Sequence, residues 1–100
     1  MGAMVVNRRS WPPDGRIAVA RSGEFAGYYF LVSLYTDDTW NVIYVNPDVS
    51  DKEAKVGEDW GDFIITGDAE FSRVLEGYEP QWIADESEAN RIRDRYFPGN

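Results

Sequence analysis

The sequence predicts an α+β fold. The expected architecture is an antiparallel sheet of about four to five strands, with a central β-hairpin at 28–36/40–46 and two C-terminal helices, 68–76 and 86–97, packed on one face. Three observations lead there. Short apolar runs with strand-like alternation fill the first two thirds of the chain, turn residues punctuate them, and helical periodicity starts only after residue 67. Strands first and helices afterwards is the α+β order, not the alternation of a parallel βαβ fold.

Met1-Gly2-Ala3-Met4 reads as a cloning remnant ahead of a single domain over 5–100. Asn7–Gly15 reads as a loop or extended arm, because Pro12-Pro13 forbids helix and Asp14-Gly15 signals a turn. Ile17–Ala20 is a short strand, broken at Ser22-Gly23. Gly27–Asn46, GYYFLVSLYTDDTWNVIYVN, is the hairpin. With Thr36-Asp37-Asp38-Thr39 as its turn, Tyr35 falls opposite Trp40, Ser33 opposite Val42 and Leu31 opposite Tyr44. One register assigns every side chain to a face. Tyr29, Leu31, Tyr35, Trp40, Val42 and Tyr44 then form an aromatic face, while Phe30, Val32, Leu34, Ile43 and Val45 form an aliphatic one.

Asn46-Pro47-Asp48 stops the second hairpin strand. The polar stretch 48–61 has room for one helical turn at most, and Asp62–Thr66 is a further strand. Asp68 is the expected N-cap of a short helix whose Phe71, Val74, Leu75 and Tyr78 follow at i, i+3, i+4 and i+7. Gly77 ends it, and Gln81–Ala84 is a short strand. Asp85 and Glu88 have capping-box spacing and open the last helix, with a thin stripe of Ala89, Ile92 and Tyr96. Arg91, Arg93 and Arg95 complement the C-terminal end of its dipole. Two short helices cover one sheet face, and an antiparallel sheet tolerates a solvated second face. Trp40 and Tyr44 are therefore expected to be partly accessible.

One hundred residues with 43% hydrophobic content suit one small core. No apolar run reaches the ~18 residues of a membrane span, and the start lacks a signal-peptide core, so a cytoplasmic protein is expected. Cys and His are both absent. That closes disulfides, thiol nucleophiles, Ser-His triads and His-ligated zinc. Carboxylate or lysine chemistry remains, but no pair of acids is singled out as a glycosidase would need. Asp48, Ser50, Asp51 and Glu53 are clustered oxygen donors that lack the glycine and distal glutamate of a calcium loop. There is no glycine-rich phosphate loop. The expectation is a protein that is not an enzyme, with no cofactor and no metal.

The net charge of −8 is unevenly spread: residues 24–88 hold 16 acids against Lys52, Lys55 and Arg73. A field of that sign repels nucleic acid and anionic membranes and attracts basic proteins, although it also serves solubility. Three clusters are candidates for contact. The aromatic hairpin face, with Trp40 and Tyr44, is either a second core layer or an interaction patch. The loop Gly57-Glu58-Asp59-Trp60-Gly61-Asp62 either presents acids around an anchoring Trp60 or folds that ring inward. Asp37 and Asp38 at the hairpin tip extend the same acidic surface. The arginines of the last helix read best as a solvated helix end with intramolecular pairs.

A short acidic α+β chain with TWNVIYV at 39–45, DWGDFII at 59–65, and a short helix followed by Gln81-Trp82-Ile83 resembles the immunity proteins of bacterial polymorphic toxin systems. The resemblance covers residues 24–84 in style rather than as a motif. It implies a non-enzymatic protein that binds one cognate toxin, often a basic nuclease domain, and occludes its active site. Asp37, Asp38, Trp40, Tyr44, Glu58, Asp59, Trp60 and Asp62 are the partner-binding candidates, chosen on the patch argument alone. The alternatives are a homodimer joined through the aromatic sheet face, with the chain otherwise monomeric, and a small ligand-binding module.

Overall fold

The computed structural model describes residues 15–97. The expected remnant at 1–4 and residues 7–14 of the arm lie outside them. Strands β1 (Arg16–Val19), β2 (Tyr29–Thr36), β3 (Thr39–Val45), β4 (Trp60–Thr66) and β5 (Gln81–Trp82) form one sheet in the order β4-β3-β2-β1-β5. Every pairing is antiparallel. Helix α1 (Asp68–Gly77) follows β4, and α2 (Glu86–Tyr96) follows β5. The α+β class, the hairpin and the two C-terminal helices are as the sequence predicts.

The hairpin register differs from the expected one. Thr36 does pair with Thr39, but Leu34 rather than Tyr35 pairs with Trp40, leaving Tyr35 as a bulge. A two-residue hairpin loop matches the strand twist when a central residue takes φ > 0, and neither Asp37 nor Asp38 does. A bulge beside such a turn adds the missing twist. Beyond it Val32 faces Val42, Leu31 faces Ile43 and Phe30 faces Tyr44. A one-residue slip exchanges the faces of the whole first strand. The aromatic face therefore carries Phe30, Val32, Trp40, Val42 and Tyr44, while Tyr29 and Leu31 join Ile43 and Val45 on the other.

The two helices do not share a face. Phe71, Val74 and Leu75 of α1 pack with Ala18, Phe30, Val32, Val42, Tyr44 and Ile65. Ala89, Ile92 and Tyr96 of α2, with Phe97, pack with Ile17, Leu31, Ile43 and Val45. Side chains alternate along each strand, so these clusters lie on opposite sides and the molecule has three layers, α/β/α. The slipped register supplies the reason: it puts Leu31, Ile43 and Val45 together, a surface too apolar to face water. Ile92 and Phe97 are almost fully buried against it, each side chain contributing about 1.5–3 kcal/mol of transfer free energy.

Chain connectivity fits this arrangement. α1 leaves the β4 edge, crosses one face and delivers β5 to the opposite edge, and α2 returns over the other face. Asp85 caps α2 as expected, its carboxylate accepting the Glu88 N–H at 3.3 Å. Asp68 is not the N-cap of α1. Gly67, at φ 95, takes that position, and Asp68 is the first helical residue. A side-chain cap needs extended backbone at that place, and the tight exit from β4 supplies a conformation that suits glycine.

Candidate protein-binding surface

The predicted contact residues are divided by the fold. Asp37 and Asp38 are exposed at the hairpin tip, Glu58 in the 56–59 loop and Asp62 on β4. Tyr44 is buried at 7% exposure, and Trp40 is half-buried with its indole stacked on Phe71. Both were expected to be partly accessible: Trp40 is, whereas Tyr44 is covered, because α1 packs over the face that holds them. Trp60 is half-buried, packs with the α2-side core and begins β4 instead of lying in a loop. Asp59 is spent on the chain itself: its carboxylate accepts from Asn46 Nδ2 at 3.2 Å and from the Lys55 backbone N–H at 2.9 Å.

What remains is organised around the β4 edge. Phe25 enters from a loop bracketed by Gly23 (φ 79) and Gly27 (φ 91) and stacks on Tyr44 with centroids 4.2 Å apart. Phe63 and Tyr78 complete the cluster, with Phe25 and Phe63 rings 6.4 Å apart and nearly parallel. Beside these rings opens a cleft of about 540 Å³ between α1, β4 and the 23–28 loop. Glu24, Glu70, Phe25, Phe63 and Tyr78 line it, and Asp62 borders it from the β4 edge. All three carboxylates belong to exposed residues.

Tyrosine hydroxyls hold the neighbouring loop in place. Tyr44 Oη donates to the Gly57 carbonyl at 3.0 Å, and Tyr28 Oη donates to that of Glu58 at 2.8 Å. The Tyr44 ring reaches there by lying across Gly61, its direct cross-strand partner. Burial pushes the Tyr44 phenol above its ordinary value, and the Asp62 and Glu24 carboxylates add to the shift. Tyr78 is raised in the same way, by burial and then by Glu24, whose Oε1 accepts from its hydroxyl at 3.3 Å. Both phenols are thus held in their neutral form.

Glu70 is paired with Arg73 one turn along α1, which holds its carboxyl below the usual range. The arginines of α2 are occupied locally: Arg91 pairs with Glu88 at 3.7 Å, Arg93 donates to Asn90 and to the Gly15 carbonyl, and Arg95 lies over Tyr96. Among the described residues, no group of three His, Cys, Asp or Glu side chains is close enough to hold a metal ion. No helix among them is long and apolar enough to cross a membrane.

Glu24, Phe25, Phe63, Glu70 and Tyr78 were not among the predicted contact residues, whereas Asp62 and Tyr44 were. The available signals were the Gly23–Gly27 bracket around Glu24-Phe25-Ala26 and the alternation Gly61, Phe63, Ile65 along β4. An aromatic at the centre of each pointed to a shared face, but only the fold brings the two together. The chain matches no protein-family model, no curated protein and no solved structure, so the functional reading rests on this geometry.

Proposed function

We propose that this chain is a non-enzymatic binding protein that inhibits a basic protein partner by occlusion, in the manner of the bacterial immunity proteins it resembles. One observation carries the reading: Glu24, Asp62 and Glu70 line a single cleft together with Phe25, Phe63 and Tyr78. Lysine and arginine suit such a cleft, because their apolar stems lie on aromatic rings while their charged ends reach carboxylates. The wider acidic field of residues 24–88 steers a basic partner towards it. Association is then fast and falls steeply with salt.

The homodimer reading loses its surface, since the aromatic sheet face lies under α1. The reading predicts a toxin domain encoded beside this chain's own gene, and the test is co-expression of the two. Growth should be restored and the two should co-purify at low salt, with Glu24→Lys and Asp62→Lys each weakening the pair at least tenfold. Unrestored growth, or binding indifferent to salt and to both variants, would overturn the proposal.

A further inference from the structure

The backbone of β4 points to how the partner docks. In the β3–β4 ladder, Asn46 N–H donates to the Asp59 carbonyl and Gly67 N–H to that of Asp38. With the register Gly61↔Tyr44, Phe63↔Val42 and Ile65↔Trp40, those bonds make Gly61, Phe63 and Ile65 the residues that turn their backbone groups towards β3. Trp60, Asp62, Ile64 and Thr66 turn theirs outwards. The Trp60 carbonyl is taken by Gly57 N–H at 2.8 Å. From Asp62 to Thr66, roughly 14 Å of strand at ~3.4 Å per residue, no described residue pairs with the outer edge.

The two edges of the sheet are treated differently. At one, β5 is only two residues long, which is a common way to blunt an edge. At the other, β4 runs seven residues without proline, lysine or bulge, and Ile64 is 50% exposed beside it. Its one charged residue is Asp62. An open edge whose rim carries Asp62, Glu24 and Glu70 rejects a second copy of this acidic chain and favours a basic strand.

We infer that the partner contributes an extended basic segment that pairs antiparallel with β4 at Asp62–Thr66 and becomes a sixth strand of the sheet. This rests on the binding reading above and specifies its mode, strand addition at an exposed edge. The segment's alternation follows from the ladder. Residues opposite Asp62, Ile64 and Thr66 exchange backbone hydrogen bonds with β4 and lie on the face of Ile64, so the one opposite Ile64 is apolar. Those between them, opposite Phe63, place their side chains in the cleft, so they are lysine or arginine, with stems on Phe63 and charges at Glu24 and Glu70.

The test uses the full chain and three forms of one probe, acetyl-Val-Lys-Val-Arg-Val-Lys-Val-amide: unmodified, N-methylated at the inner valines, and N-methylated at the basic residues. Affinities come from calorimetry or fluorescence, and backbone amide shifts from NMR. The valine amides face β4 in this mode and the basic-residue amides face solvent. Valine methylation should cost about tenfold or more in affinity, and basic-residue methylation little. Amide shifts should centre on Asp62, Ile64 and Thr66. If the unmodified probe binds and Glu24→Lys weakens it, yet the methylated forms rank equally or in reverse, strand addition is overturned while the basic-partner reading stands. If the unmodified probe does not bind, both fall. A dimer of the chain alone, dissociated by the probe, would give the edge to a second copy and overturn the assignment.

Discussion

The indole of Trp40 lies almost parallel to the ring of Phe71, with centroids 4.2 Å apart and an interplanar angle of 18°. Its Nε1 donates to Asp68 Oδ1 at 3.3 Å, so one β3 side chain binds the first turn of α1 twice. This contact closes the aromatic face that would otherwise be open.

Removing the stack should therefore loosen α1. Phe71→Ala is expected to cost about 2–3 kcal/mol, less than the ~3–5 kcal/mol of a fully buried Phe because Phe71 is half-buried. Phe71→Leu, which keeps apolar volume but not ring stacking, should cost about 1 kcal/mol. Urea unfolding midpoints measure both, and a Phe71→Leu variant as stable as the parent would show that stacking contributes nothing.

The three-layer arrangement makes a prediction of its own. Leu75 and Ile92 are both buried, on opposite sides of the sheet. Leu75→Ala and Ile92→Ala should each cost about 2–4 kcal/mol. Their effects should add to within ~0.5 kcal/mol, because the two side chains share no neighbours. A coupling well above ~1 kcal/mol in the double-mutant cycle would place both helices over one core.

Gly61 is needed for its missing side chain. A Cβ there would lie 2.6 Å from Tyr44 Oη and 2.9 Å from Cζ. That ring is pinned by its bond to Gly57, so Gly61→Ala should cost about 1–3 kcal/mol. Adding Tyr44→Phe removes the closest contact and should recover part of the loss, a rescue readable by thermal melting.

Tyr28, Tyr44 and Tyr78 all titrate above the ordinary 10.0, chiefly through burial. The folded chain favours the neutral phenol. The associated stability is complete below the unfolded value and is lost as pH rises through the higher folded values. Asp62→Asn should move Tyr44 back towards 10.0 and leave Tyr28, whose acidic neighbours are Asp59 and Glu58, in place. NMR titration of the ring signals checks this, and an unmoved Tyr44 would contradict the role given to Asp62.

Local signals placed most elements. The Asp85–Glu88 spacing located the start of α2, the Phe71–Val74–Leu75 stripe identified α1, and Asp37-Asp38 marked the hairpin tip. Tyr35 defeated the register, because a bulge depends on the twist of the turn beside it and leaves no mark in the alternation of residue types. That single residue moved Tyr29 and Leu31 to the other face. Of the expected contact residues, Asp62 and the largely buried Tyr44 line the cleft, whereas Trp60 packs against the core on the other side of the sheet.

Sequence alone determined the strand-then-helix order, the absence of Cys and His, and the concentration of acids between residues 24 and 88, since these follow from residue type and local periodicity. Tertiary structure decided which face each side chain occupies, that α1 and α2 lie on opposite sides, and that Glu24 and Phe25 meet Asp62, Phe63 and Glu70 along one open edge. Those outcomes depend on strand register and on burial of two competing apolar faces. Both are settled by contacts between distant segments and not by the residues beside them.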